Sequence, residues 1–142
     1  MIVIDTNVAS ELMRPSPTPT VAAWIAERDA ENIFLTAVSE AELLYGVAIM
    51  SAGKRRTALE AAMTRWLDLG FAERILPFDS AAARAYAEIA AGRRQAGRPI
   101  GEADCQIAAI SRSRSADLVT RNVRDFDGTG VNVIDPWQVG PG

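Results

Sequence analysis

Histidine is absent from this chain of 142 residues, and cysteine and lysine occur once each, at Cys105 and Lys54. Without histidine, Ser-His-Asp hydrolysis, Cys-His proteolysis, zinc–histidine centres and every imidazole acid–base scheme are excluded. A lone thiol makes neither an intrachain disulfide nor a thiolate zinc cage. In the apolar stretch Ala103-Asp104-Cys105-Gln106-Ile107-Ala108-Ala109-Ile110 it reads as core filler. No apolar run approaches the roughly 20 residues of a membrane span. Met1-Ile2-Val3-Ile4-Asp5 has no basic n-region and reads as a strand, so no membrane association and a cytoplasmic location are expected. If the chain is an enzyme, carboxylates must carry most of its chemistry.

Apolar residues make up 49% of the sequence and charged ones 23%, the composition of an ordinary globular protein. The length suits a single domain over residues 1–142 with its own hydrophobic core. Lys and Arg number 15 against 18 Asp and Glu, a net charge of −3. The field of the whole molecule therefore does not attract a polyanion, and any nucleic-acid contact must come from local patches or a bound metal.

Ile2-Val3-Ile4 is a short β-branched run ending at Asp5, and the following residues through Leu12 read as a helix. Pro15, Pro17 and Pro19 enforce a loop, after which a helix is expected from Thr20, with Val21, Trp24 and Ile25 on one face. Residues 32–36 form a second expected strand. Ser39 is expected to open a helix over Glu40–Met50, followed past Gly53 by a helix burying Leu59, Met63, Trp66 and Leu67. Residues 74–78 read as a strand, and Asp79 or Ser80 as the cap of a helix to about Ala96. Another helix is expected to begin near Glu102, with final strands at 117–120 and 131–134. Strands alternating with helices imply an α/β fold, a mostly parallel sheet with helices on both faces, because each parallel crossover needs a long connection.

In such sheets ligands bind beyond the carboxyl ends of the strands. Asp5 lies just past the first strand, and Asn122 and Asp125 follow the fourth. Glu42 and Asp104 lie in the first turns of the helices expected near Ser39 and Glu102, so four carboxylates can meet at one edge. Crowded carboxylates repel unless a cation neutralises them, and hard oxygen donors suit Mg²⁺ or Mn²⁺ rather than zinc or copper. Such an ion activates water and stabilises charge on a phosphodiester, so hydrolysis needs no histidine. Each acid also has an ordinary structural reading. Ser39-Glu40-Ala41-Glu42 matches a capping box, Asp5 suits a helix N-cap, Asp104 a helix N-terminus, and Asp125 the turn before Gly128.

Val3-Ile4-Asp5-Thr6-Asn7, Ser39-Glu40-Ala41-Glu42-Leu43 with Gly46, Glu102-Ala103-Asp104 before Ile107-Ala108-Ala109, and Val119-Thr120-Arg121-Asn122 occur in that order. With Asp125-Phe126 and Asn132-Val133-Ile134-Asp135-Pro136-Trp137, the chain resembles, nearly end to end, the PIN domain of VapC-type toxins of the FitB-like branch. The resemblance implies a three-layer α/β/α sandwich and a Mg²⁺- or Mn²⁺-dependent ribonuclease. It further implies a homodimer, and inhibition by a small co-expressed antitoxin similar to VapB. It assigns Asp5, Glu42 and Asp104 as the central acids and Asp125 as the fourth, with Asn122 as an alternative, neutral ligand.

Thr6 and Thr120 fall at the pocket edge, where hydroxyls orient a ligand carboxylate or a water, and Asn7 suits the first-strand turn. Arg93, Arg94, Arg98, Arg112, Arg114, Arg121 and Arg124 crowd the C-terminal half as candidate phosphate contacts. Thr120, Arg121 and Arg124, nearest the acids, are the expected substrate-binding residues. Trp24, Trp66, Met50 and Met63 read as core, although an antitoxin would bury such side chains too. A receiver domain needs a late lysine, where Lys54 is misplaced, and a haloacid-dehalogenase-like phosphatase needs Asp-x-Asp where this chain has Asp5-Thr6-Asn7. Two alternatives stay open: a PIN-fold protein that binds RNA or antitoxin but cleaves poorly, and a DNA-directed nuclease of the same fold.

Overall fold

The β-branched Ile2-Val3-Ile4 run forms the central strand β1 (Ile2–Ile4) of a five-stranded sheet. The computed structural model describes residues 1–138, so the last four positions of the expected domain lie outside the described residues. The other strands are β2 (Ile33–Thr36), β3 (Ile75–Leu76), β4 (Asp117–Val119) and β5 (Val133–Ile134). They lie in the order β3-β2-β1-β4-β5, and every neighbouring pair is parallel. A two-residue hairpin cannot join parallel strands, and helices fill most of the crossovers. These are α1 (Thr6–Leu12), α2 (Pro19–Ala26), α3 (Ala37–Ala48), α4 (Lys54–Gly70), α5 (Ser80–Gln95) and α6 (Glu102–Ser113). The link from β4 to β5 carries only the 3₁₀ turn Val123–Phe126.

Successive strand residues point to opposite faces, and the core divides accordingly. Ile4, Leu35 and Val119 pack with Val8 of α1, Val21 and Trp24 of α2, Leu43 and Val47 of α3, and Met63 and Leu67 of α4. Val3 and Leu118 face the other way, onto Ala82 and Ile89 of α5 and Ile107, Ala108 and Ile110 of α6, with Cys105 buried among them. The result is a three-layer α/β/α sandwich. Among the described residues no helix is long and apolar enough to cross a membrane.

Boundaries differ from expectation where local chemistry is stronger than pattern. Helix α2 starts at Pro19 rather than Thr20, because proline's fixed φ and missing N–H suit the first helical position. Helix α3 starts at Ala37, two residues before Ser39, because Thr36 is the cap: its side chain accepts the Ser39 amide at 3.1 Å. The two outer strands shrink to two residues each, since an edge strand has a partner on one side only.

Strand β1 has β2 on one side and β4 on the other, so the chain leaves the middle of the sheet in opposite directions in its two halves. The carboxyl ends of β1 and β4 therefore flank the crevice where open α/β sheets bind ligands. Asp5 and Thr120 are the first residues beyond those two strand ends.

Candidate functional site

At the end of β1 the Asp5 amide donates to the Val119 carbonyl at 2.8 Å, which pins the turn into α1 against β4. Asp5 is the N-cap of α1, its Oδ1 accepting the Thr6 amide at 2.8 Å. Its Oδ2 accepts from the Thr120 hydroxyl at 2.7 Å and from Asn7 Nδ2 at 3.1 Å. Burial at 4% exposure pushes the Asp5 carboxyl above its ordinary pKa, the hydrogen bonds from Thr120 and Thr6 pull the other way, and nearby Glu42 pushes it up again. The cap and the site are therefore the same side chain.

A threonine hydroxyl has one proton and two acceptor positions. That of Thr120 donates to Asp5 and accepts from Asn7 Nδ2 at 3.2 Å and from the Asn122 amide at 3.1 Å. Asn7 Oδ1 in turn accepts the Arg121 amide at 3.2 Å. Thr120 is fully buried, so the expected substrate contact is corrected: every bonding position of its hydroxyl is used in orienting Asp5 and the loop after β4. Replacing Thr120 by valine keeps the shape but leaves the Asn7 and Asn122 donors without their acceptor. The variant should lose about 1–3 kcal/mol of stability, read as a lower denaturant midpoint at unchanged m-value. A wild-type midpoint would show that these bonds carry no net stability.

Glu42 lies in the second turn of α3. Because Thr36 is the cap, the capping-box role for Glu42 fails; Ser39 occupies the position such a glutamate would take. The Thr6 hydroxyl stands 2.8 Å from Glu42 Oε1 and 2.8 Å from the buried Ser39 Oγ, and its single proton favours the charged acceptor. Thr6 thus ties Glu42 to the turn that carries Asp5.

Asp104 lies in the first turn of α6, where aligned amide dipoles favour a carboxylate. Its pKa is nevertheless pushed up to about 6, first by burial and then by the charges of Asp5, Asp125 and Glu42, with Arg93 acting in the opposite sense. A proton on Asp104 thus responds to all three other acids of the expected set. Asp125, in the 3₁₀ turn, is exposed, and its amide donates to the Asn122 carbonyl at 3.1 Å. Asn122 and Asp125 line an open hollow of about 530 Å³ with Arg121, Val123, Arg124, Asp135 and Gln138.

Among the described residues no three of these side chains stand together as a finished ion cage. Repulsion between carboxylates reaches several ångströms further than a coordination bond of about 2.0–2.6 Å, so coupling without a closed cage is coherent. The donor set is all oxygen, with the pKa values of Asp5 and Asp104 both raised, first by burial and then by neighbouring carboxylates. That chemistry fits a hard divalent cation.

The family profile described as the PIN domain matches residues 2–131. The chain belongs to the PIN-domain family. Among curated relatives, VapC ribonuclease Y4jK of Sinorhizobium fredii is 41% identical over 97% of this chain and 99% of its own. Toxin FitB of Neisseria gonorrhoeae is 39% identical over the same shares. The crystal structure of FitAcB from Neisseria gonorrhoeae matches with a TM-score of 0.91 at 38% identity, covering 98% of this chain and 100% of that one.

The arginines of this PIN domain separate sharply. Arg112 pairs with Glu88 at 2.9 Å, Arg114 with Asp79 at 3.7 Å and Arg98 with Asp127 at 3.6 Å, all at the surface. Arg121 lies over the Trp137 ring, 5.0 Å from its centroid, and Arg124 is exposed at the hollow. Arg93 is buried, with its donors on backbone carbonyls, so it is no phosphate contact. The sequence carried a signal for this: Arg93 follows Ala82 and Ile89 at helical spacing on the buried stripe of α5. Ser39, which touches Thr6 beside the site, was passed over because it read as a helix cap.

Proposed function

We propose that this PIN domain is a divalent-metal-dependent endoribonuclease, the toxin of a toxin–antitoxin pair, acting in the cytoplasm as a homodimer restrained by a small cognate antitoxin. What supports the reading is Asp5 at the crevice between the ends of β1 and β4, with Glu42 tied to the same turn through the Thr6 hydroxyl, and Asp104 near enough to feel the charges of Asp5, Asp125 and Glu42. The names of the relatives, a VapC ribonuclease and a toxin FitB, support RNA as substrate and the toxin role.

Asp5, Glu42 and Asp104 would hold Mg²⁺ or Mn²⁺, with Asp125 as the fourth ligand and Asn122 as the neutral alternative. Bound there, the ion supplies charge stabilisation to a phosphodiester and a water of lowered pKa. The chain's own part is positioning. Thr120, Asn7 and the Thr6 amide hold the Asp5 carboxylate, and the Thr6 hydroxyl holds Glu42. Arg121 and Arg124, exposed beside the hollow, are placed to receive backbone phosphates in a protein whose net charge otherwise repels them. Leu44 and Tyr45 of α3 and Ile49 at its C-terminal cap are 42%, 66% and 65% exposed, an apolar face suited to a partner such as the antitoxin. The four side chains read as core, Trp24, Trp66, Met50 and Met63, instead pack inward.

The test uses protein freed of any bound partner, with single-stranded and structured RNA and matched DNA, in Mg²⁺, in Mn²⁺ and in excess EDTA. RNA should be cut in either metal, cutting should stop in EDTA, and DNA should survive. Cleavage indifferent to EDTA would overturn the metal requirement, and equal cutting of DNA would make this a DNA-directed nuclease. RNA bound but left intact in both metals would favour the binding-only reading.

A further inference from the structure

Arg93 is the one buried arginine among the described residues, at 8% exposure, and no carboxylate lies within ion-pair distance of it there. A buried charge is costly unless its donors are satisfied, and here backbone carbonyls accept from Nε and from Nη1. Its Nε donates to the Arg98 carbonyl at 2.7 Å, just past the end of α5. Its Nη1 donates to the carbonyls of Asp125 at 2.9 Å and Asp127 at 3.0 Å. One rigid fork thus joins the end of α5 to the 3₁₀ turn between β4 and β5. The turn also folds over the arginine's stem at Gly128, whose φ of +74° suits a residue without a side chain and whose Cβ position lies 3.7 Å from Arg93 Cδ.

The consequence falls on Asp125. Its carboxylate is exposed and accepts no hydrogen bond among the described residues, so where it stands is set by its main chain, and that main chain is held by Arg93. We infer that Arg93 is a positioning residue for the acidic site, its guanidinium clamping the turn that carries Asp125 and thereby fixing that carboxylate relative to Asp5, Glu42 and Asp104. The inference rests on the reading of Asp125 as the fourth acid of the site. Lysine is a poor substitute, because a point-charge ammonium on a flexible stem does not reproduce donors fixed in two directions. It keeps the positive charge near Asp104, so Arg93→Lys separates the clamp from the charge.

The experiment measures Mn²⁺ affinity by calorimetry on folded protein well below its melting temperature, alongside kcat and KM on RNA. Wild type, Arg93→Lys, Asp125→Asn and the double variant are compared. Loss of a group that orients a ligand costs about ten- to a hundredfold in metal affinity, and Arg93→Lys should lose that much, with kcat falling and KM for RNA nearly unchanged. In the Asp125→Asn background Arg93→Lys should add almost nothing, because the carboxylate it positions is gone. Wild-type affinity in Arg93→Lys beside weakened Asp125→Asn would overturn the inference and leave the acidic site intact. Losses that multiply in the double variant would overturn it too, since Arg93 would then act elsewhere. Wild-type affinity in Asp125→Asn would remove Asp125 from the site and the inference with it. If Arg93→Lys does not fold, Gly128→Ala strains the same turn from the opposite side and should weaken Mn²⁺ in the same sense; wild-type affinity there would overturn the clamp.

Discussion

Asp104→Asn should reduce RNA cleavage by more than a hundredfold and, in the metal-free protein at pH 7, raise the melting temperature. The two effects have opposite signs because the same crowding produces both. As a proposed ligand of the ion, Asp104 should cost more on removal than the ten- to hundredfold typical of groups that only orient such ligands. In the metal-free protein, burial and the charges of Asp5, Asp125 and Glu42 raise the Asp104 pKa from 3.8 to about 6. The folded state therefore binds a proton more tightly than the unfolded chain. The stability from that proton is fully present below pH 4 and is lost as pH rises through about 6. At pH 7 ionised Asp104 works against the fold. The site is half open to solvent, so the penalty is on the order of 1 kcal/mol, about 3–6 °C in melting temperature. Asparagine cannot ionise, so the melting temperatures of the two proteins, followed from pH 4 to pH 7.5 in EDTA, should converge near pH 4, part as pH rises to about 6 and keep a constant separation above that. Adding Mn²⁺ at pH 7 should stabilise wild type more than the variant. A variant less stable than wild type at pH 7 would mean that Asp104 holds the fold rather than burdens it.

Asp5→Ala is expected to abolish cleavage and to destabilise the protein, which separates it from Asp104→Asn. Asp5 caps α1 through the Thr6 amide and accepts the Thr120 hydroxyl and the Asn7 amide from its buried place at the end of β1. Losing an N-cap costs about 0.5–2 kcal/mol, and leaving buried donors without an acceptor costs about 1–3 kcal/mol. Relief of a buried carboxylate offsets part of this, and a net loss of about 2 kcal/mol should appear in chemical denaturation. Asp5→Asn keeps an acceptor oxygen for the cap but turns an NH2 toward the Thr120 and Asn7 donors, so it should recover only the cap's share of the stability and none of the cleavage. If Asp5→Ala were as stable as wild type, the hydrogen bonds that join β1 to β4 would be incidental to the fold.

The candidate acids drew attention through local signals: a carboxylate just past a β-branched run, as at Asp5, near the start of a helix, as at Glu42 and Asp104, or in the loop after a strand, as at Asp125. Each of these places also suits an ordinary cap or turn. The strand–helix alternation made the parallel sheet legible in the same way, and all five strands appear near where they were expected. Helix edges were less legible where two good caps compete: Thr36 and Ser39 both suit an N-terminus, and the choice of Thr36 places Glu42 toward Thr6 instead of the α3 amides. Thr120 read as a substrate contact because nothing in sequence says that its hydroxyl is already shared among Asp5, Asn7 and Asn122, the first two more than a hundred positions away.

The sequence by itself determined the chemistry and the layers. Removing histidine and all but one cysteine and one lysine left oxygen donors for any catalytic centre, and hydrophobic periodicity determined which segments are strands and which are helices. Only the tertiary structure decided which carboxylates feel one another, which hydroxyls hold them, and which arginines are available to a substrate. The reason is that these depend on strand order. Bringing β4 beside β1 places Thr120 on Asp5, and closing the β4–β5 turn over α5 buries Arg93 while leaving Arg121 and Arg124 at the surface. Contacts between segments so far apart in the chain leave no periodicity for a sequence to display.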